Sequence, residues 1–396
     1  MRQVHRIYRA GRSADVGWGG RLWRARGRTM AWLASAGLGS LVWGAPHQAR
    51  ASQTSGACEA YEQVEQVGTL TDPALNEASG LVASHLNPGL WWTLADSGNP
   101  AYLYGLSEDG TVEDLFFVSG AANTDWEDLA LAPCAESCAC LFIADIGDTE
   151  LSRDESVIYR VSEPVLGETH RVTAASTPLR FMYEDGPHDS ETLLVDPRTG
   201  GIYIITKEMG GEAYVYQFTP TDAVDQVYTA LRVGTLSLGQ VEGEWQHTSG
   251  GAFAPDGSRF AFRTEQLLYE YGLRADQSVP EALAQLPLIL TLPYTVQGEG
   301  MSYSETAEAL YINSEQVPSP IFALTCTRGS PASLLVPSLD LACADATVSG
   351  PVYGCGCTSV PLAPSQGTQS SQFDGWTSLI AIALLFKRNS KRTRPS

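Results

Sequence analysis

Four glutamates occupy one position of a recurring pattern: Glu77 in EASGLVA, Glu127 in WEDLALA, Glu191 in ETLLVDP and Glu299 in EGMSYSE. Each opens an apolar run of strand length. A carboxylate so placed can accept backbone amides at a strand end, hold a hard cation, or keep its proton when crowded. A second run follows each time: WWTLADSG, LFIADIGD, IYIITKE and LYINSEQ, which end on or just before Asp96, Asp145, Lys207 with Glu208, and Glu315. If the two runs pair antiparallel, the end of the second returns beside the start of the first, and the acids share one face. Loops add Asp125, Asp185, Asp189, His188 and His247 to that face.

Oxygen ligands in such numbers favour Ca²⁺ or Mg²⁺. The expected ligands are Glu77, Asp96, Glu127, Asp145, Glu191 and Glu299, with Ca²⁺ as the ion. Two cations interrupt the acids, Lys207 and, in FAFRTEQ, Arg263. They read as anion-binding catalytic groups or as plain counter-ions. His188 in DGPHDSE reads as a general acid, a metal ligand or a loop histidine held by hydrogen bonds. Any single glutamate also reads as a strand cap. No Gly-x-Ser-x-Gly elbow, His-Glu-x-x-His helix or phosphate loop occurs.

The elements that must carry these groups form a repeat. A fifth copy, SGGAFAPDG, aligns Ser249 with the glutamates, and Pro133, Pro197 and Pro255 all fall six residues after the aligned position. Successive copies are 50, 64, 58 and 50 residues apart. Third runs (AYLYGLS, VIYRVSE, AYVYQFT, LLYEYGL) and fourth runs (DLFFVSG, LRVGTLS) follow, with turns such as Pro-Asp-Gly between them. Four short strands per copy predict an all-β β-propeller of five four-stranded antiparallel blades. A sandwich leaves the period unexplained. A sixth blade over 330–350 is the alternative count, although that stretch lacks the acidic motif.

VEQVGTL (64–70) shares Val-Gly-Thr-Leu with the outer run 232–238. The strand at 61–70 is therefore expected to complete the last blade, 299–324, and close the ring. Cys58 and Cys326 would flank that seam, and a Cys58–Cys326 disulfide is expected there, with Cys326–Cys343 as the competing pair. CAESCAC (134–140) lacks the second ligand pair of a zinc finger. Trp91, Trp92, Trp126 and Trp245 read as packing between blades.

Both ends read as processing segments. Residues 1–51 combine arginines, a short apolar run and Ala49-Arg50-Ala51, the pattern of a signal peptide. The propeller is placed at 58–345, a Cys/Ser/Pro-rich linker at 346–372, and an apolar tail with a basic end at 373–396. Cys355 and Cys357 precede that tail, which resembles the C-terminal sorting tails of myxobacterial surface proteins. That likeness implies attachment on the cysteine side and membrane anchoring through the tail helix. Its apolar run is short for a span.

Of 25 basic residues, 14 lie in these two ends, so residues 52–371 carry 43 acids against 11 bases. That body excludes nucleic acid as a partner and suits divalent cations. Eight cysteines suggest disulfides in an exported chain; the likeness of the tail implies the cell envelope, and a monomer is expected.

The body also resembles secreted bacterial propellers of the phytase-like and SdiA-regulated type. The likeness rests on EASGLVASHLNPGLWWTLADSGN, TDWEDLA, FIADIGDT, YEDGPHDSETLLVDPRTGGIYIITKE and GEGMSY. It implies channel acids holding Ca²⁺, with Lys207 and Arg263 gripping a substrate phosphate. The paired-Asp and Asn-Asn motifs of alkaline phytases are absent from the chain. Two functions follow as expectations: a metal-dependent phosphoester hydrolase, or a non-catalytic Ca²⁺-stabilised module that binds a protein or glycan.

Overall fold

The computed structural model describes residues 58–328, apart from 59, 135–136, 138, 168–170 and 222–224. The expectations for 1–51, for a blade at 330–350, for the linker at 346–372 and for the tail at 373–396 lie outside the described residues, as do Cys343, Cys355 and Cys357. Among the described residues no helix is long and apolar enough to cross a membrane.

The described chain is all-β. β1 (Ala60–Leu70) comes first. Unit one then follows as β2 (Ala78–Ala83), β3 (Leu90–Ala95), β4 (Tyr102–Ser107) and β5 (Val112–Phe117). Unit two is β6 (Trp126–Ala132), β7 (Cys140–Asp145), β8 (Ser156–Ser162) and β9 (Thr177–Tyr183). Unit three is β10 (Ser190–Val195), β11 (Ile202–Thr206), β12 (Glu212–Phe218) and β13 (Val227–Ser237). A small hairpin, β14 (Gln240–Val241) with β15 (Glu244–Trp245), leads to unit four: β16 (Thr248–Phe253), β17 (Arg259–Thr264), β18 (Leu267–Gly272) and β19 (Leu288–Thr291). The one-turn helix α1 (Val279–Leu283) links β18 to β19 under a Ser278–Glu281 capping box. Unit five is β20 (Gly298–Tyr303), β21 (Ala309–Ser314) and β22 (Ser319–Arg328), and β1 pairs antiparallel with β22 as its fourth strand.

Burial explains why first and second strands read as unbroken apolar runs. β3, β7, β10 and β17 are buried along their whole length, as strands covered on both faces must be. Outermost strands alternate between buried and exposed residues, as β5 and β13 do. The first strands β2, β6, β10, β16 and β20 neighbour one another in turn, and β20 returns to β2. Five apolar clusters fill the spaces between successive units. One joins units one and two around Trp92 and Trp126. Another joins five to one around Leu70, Leu81 and Trp91, where the Trp91 ring lies 4.1 Å from Tyr311. First strands approach so closely that a Cβ at Gly80, whose φ is +67°, would stand 2.8 Å from the Leu129 amide nitrogen.

One arrangement was not foreseen. The outer strands β9 and β13 pair in parallel, Arg180 beside Val227, which fuses units two and three into an eight-stranded sheet. At the seam, Cys58 and Cys326 form a disulfide. The Cys58 N–H donates to Glu270 (2.8 Å), and the Tyr61 and Tyr303 hydroxyls donate to the same carboxylate. Cys134 and Cys140 form a second disulfide within unit two, so neither offers a thiolate to a metal. Trp91, Trp92 and Trp126 are buried, but Trp245 is 50% exposed on the β14–β15 hairpin.

Candidate functional site

The site is built where the first strands begin. Each aligned residue falls at such a start: Glu77 immediately before β2, and Glu127, Glu191, Ser249 and Glu299 second in β6, β10, β16 and β20. Second strands return there, bringing Asp96, Lys207 and Glu315 to the same end.

Glu127 and Asp128, adjacent in β6, separate by pleat. Glu127 turns to the acidic face. Its burial, then the charges of Glu191, Asp96, Asp125 and Glu299, hold its pKa well above the ordinary carboxylate range. Asp128 is fully buried and turns between the strands. It accepts the N–H groups of Leu129 (2.8 Å), Leu193 (2.8 Å) and Gly251 (3.0 Å), which belong to β6, β10 and β16. Burial raises its carboxyl to about 8 against the lowering effect of those three amides.

Three oxygens converge most closely. Asp96, Asp125 and Glu127 each offer one ligand atom, all within 4.8 Å of one another. Gly147 makes that approach feasible, because a Cβ there would collide with the Glu127 and Asp125 carboxylates. The segment 145–147 is pinned by Arg153, which donates to the Gly147 carbonyl (2.9 Å) and pairs with Asp145 (2.8 Å). The Ile146 and Gly147 amides donate to the Asp125 carbonyl, and Asp145 accepts the Asp125 N–H. Asp145, expected as a ligand, thus lies behind the cluster, occupied by Arg153 and positioning Asp125. Arg153 carries no signal in the repeat, since its loop is particular to unit two. Asp125 was visible only as one loop acid among several.

The remaining acids line the same face. Burial, then Asp125 and Glu77 against the Ser97 amide, lifts Asp96 to about 6. Burial also lifts Glu191 to about 7, although Lys207 pairs with it and opposes the shift. Glu315 rises to about 7 through burial and the charges of Asp96, Glu77 and Glu191. Glu299 is raised well above its usual range by burial, Glu191 and Glu315, with Arg263 and Lys207 opposing. Lys207 itself is shifted upward: its burial opposes, but Glu191, Glu299 and Glu127 outweigh it. Glu77 is exposed and accepts a hydrogen bond from Asn99 (3.3 Å). These acids and Lys207 therefore form one electrostatically coupled cluster.

Arg263 and His188 sit differently. Arg263 is fully buried and donates to the backbone carbonyls of Gly300 (3.1 Å) and Asn313 (2.9 Å). Burial pulls it down to about 10, with Glu299 and Glu265 opposing. It binds unit four to unit five from beneath the acids, and Ser249 in the same unit donates to the Gly298 carbonyl (2.6 Å). His188 has both ring nitrogens engaged, Nδ1 with Glu208 (2.8 Å) and Nε2 with Asp185 (3.1 Å) and the Tyr216 hydroxyl (2.8 Å). His247 lies beside the Glu208 carbonyl (2.9 Å).

A pH dependence follows, with the sign set by linkage. Asp96, Glu191, Glu315 and Asp128 titrate near 4 in an unfolded chain and between about 6 and 8 when folded, so the folded state binds more protons over that interval. Metal-free protein is expected to lose thermal stability as pH rises from 5 to 8, read as a falling Tm by circular dichroism. A flat or rising Tm would show the cluster to be relaxed in solution.

No family model and no curated protein matches the chain. Among solved structures, a glucose dehydrogenase is similar with a TM-score of 0.38 and 10% identity, over 67% of this chain and 100% of that one. That likeness is too slight to carry chemistry across.

Proposed function

We propose that the five units are the blades of a five-bladed propeller, and that its acidic mouth binds Ca²⁺ through Asp96, Asp125 and Glu127. The closed succession of first strands and the five inter-unit clusters support the blade reading. The carrying observation for the ion is the convergence of three carboxylate oxygens over a residue without a Cβ. All-oxygen donors suit Ca²⁺, and a bound cation would let the crowded acids ionise together. Glu191 and Glu299 stand by as outer acids, and Lys207 offers an ammonium beside the ion for an anionic group.

The protein is an exported envelope component in this reading, since two disulfides suit an oxidising compartment. Its role is a Ca²⁺-stabilised module presenting the mouth to a protein or glycan. The engagement of both His188 nitrogens favours this role over catalysis. Phosphoester hydrolysis is the second reading, favoured by Glu191, which at about 7 can exchange a proton at neutral pH beside Lys207.

Calorimetric titration with Ca²⁺ tests the ion. At a hundred times Kd, binding is expected to stabilise by about 2.7 kcal/mol, and Glu127→Gln or Asp125→Asn to weaken affinity about tenfold or more. No heat and no change in Tm at millimolar Ca²⁺ would leave the acids as strand caps. Turnover of a phosphomonoester by the Ca²⁺-loaded protein, lost in Lys207→Met, would select the hydrolase.

A further inference from the structure

The opposite end of the first strands encloses a cavity of ≈ 570 Å³. Its wall takes apolar side chains from every unit, among them Val82, Leu131, Val195, Phe253 and Tyr303. The aligned prolines Pro133, Pro197 and Pro255 form part of its edge. Volume and lining fall in the range of small-molecule sites. Val82, Leu131 and Phe253 are only half-buried, so the cup leaves apolar surface in contact with solvent.

The charge at its rim is one-sided. Asp256 and Glu305 line the cavity, His85 joins them, and among the described residues neither lysine nor arginine does. Glu305 is exposed, and among the described residues no hydrogen bond or ion pair engages its carboxylate. Asp256 uses one oxygen on the Ser258 amide and hydroxyl, which leaves the other. Aromatic faces beside carboxylates favour cations, because the ring quadrupole and the acid attract the same charge. The Tyr303 ring already has the Arg259 guanidinium 5.3 Å from its centre. Asp256 and Glu305 would repel an anion with no lysine or arginine among the described lining residues to offset them, and a bare metal ion would lose its water against apolar walls.

We propose that this cup is a second binding site, separate from the acidic mouth, for an organic cation with an apolar body, a protonated amine or quaternary ammonium. Phe253 and its neighbours hold the body, and Glu305 and Asp256 face the head.

The test is a matched pair of probes, 4-phenylbutylamine and 4-phenylbutyrate, titrated into the whole chain by calorimetry. The amine is expected to bind about tenfold more tightly than the carboxylate. Glu305→Gln, at an exposed position, should weaken the amine by about threefold and narrow the preference. Leu131→Trp should fill the cup and abolish binding of both. Glu127→Gln, at the other end of the ring, separates the two sites by leaving amine binding intact. The proposal is overturned if neither probe binds, if the carboxylate binds as well as the amine, or if the amine is lost in Glu127→Gln and kept in Glu305→Gln. Failure of Ca²⁺ binding would leave it standing.

Discussion

Replacing Asp128 by alanine is expected to cost about 3–5 kcal/mol of stability, more than removing any acid of the mouth. Three N–H groups from three units, Leu129, Leu193 and Gly251, would lose their acceptor in a place without exposed surface. Each orphaned amide costs about 1–3 kcal/mol, and their shared partner makes the losses less than additive. The Asp128→Asn variant should fall between: one amide oxygen can replace the carboxylate oxygen that serves Leu193 and Gly251, while its NH₂ opposes the Leu129 N–H. The penalty also depends on pH in a direction that identifies the cause. Asp128 titrates near 8 when folded and near 4 when unfolded, so its contribution is largest below pH 4 and declines toward pH 8. Urea melts of Asp128→Ala at pH 5 and pH 8 should show the larger deficit at pH 5. An equal deficit would mean that the side chain acts by shape alone.

Breaking the seam disulfide is expected to have an effect of similar size. Cys58 and Cys326 are 268 residues apart in sequence. Opening a loop of that length returns about 5 kcal/mol of chain entropy to the unfolded state, which corresponds to a Tm lower by about 10–20 °C. The Cys134–Cys140 bond closes a separation of only 6 residues, and its removal should cost about 2 kcal/mol on the same basis. Differential scanning calorimetry of Cys58→Ser and Cys134→Ser therefore gives a ranking as well as two values. Because β1 remains hydrogen-bonded to β22 and Glu270 still accepts Tyr61, the Cys58→Ser variant should fold. If the ranking is reversed, loop length does not govern closure.

These two features differ in how far the sequence reveals them. Strand starts were legible because acid, apolar run and proline recur in a fixed register, and β1 was legible from its shared Val-Gly-Thr-Leu. Asp128 was not, since its partners Leu193 and Gly251 become neighbours only when β6, β10 and β16 converge. The same limit hid the parallel pairing of β9 with β13. At the site, Glu127, Glu191 and Glu299 were found by register, whereas Asp145 carried the right type and spacing but is occupied by Arg153 from an irregular loop. His188 likewise offered the right chemistry by type, and only its contacts with Glu208, Asp185 and Tyr216 show how it is employed. Arg263 lies in β17, which is buried on both faces along its whole length, so its place in the strand rather than its charge decides its burial. The cup left no trace as a motif, because its walls are ordinary core residues that happen to end at a rim.

The seam has a consequence for how such a body can be joined to others. Ala60 lies opposite Arg328, and the Cys326 amide donates to Glu308 in the hairpin that supplies the cup's Glu305. Entry and exit of the described chain therefore share one corner, with the Cα atoms of Cys58 and Cys326 5.9 Å apart, at the end of the ring away from the acids. Two leads so close fit the gap of a tight loop in a host protein. Insertion into such a loop would not need the host to stretch, because both leads leave from one corner, at the end of the body opposite the acids.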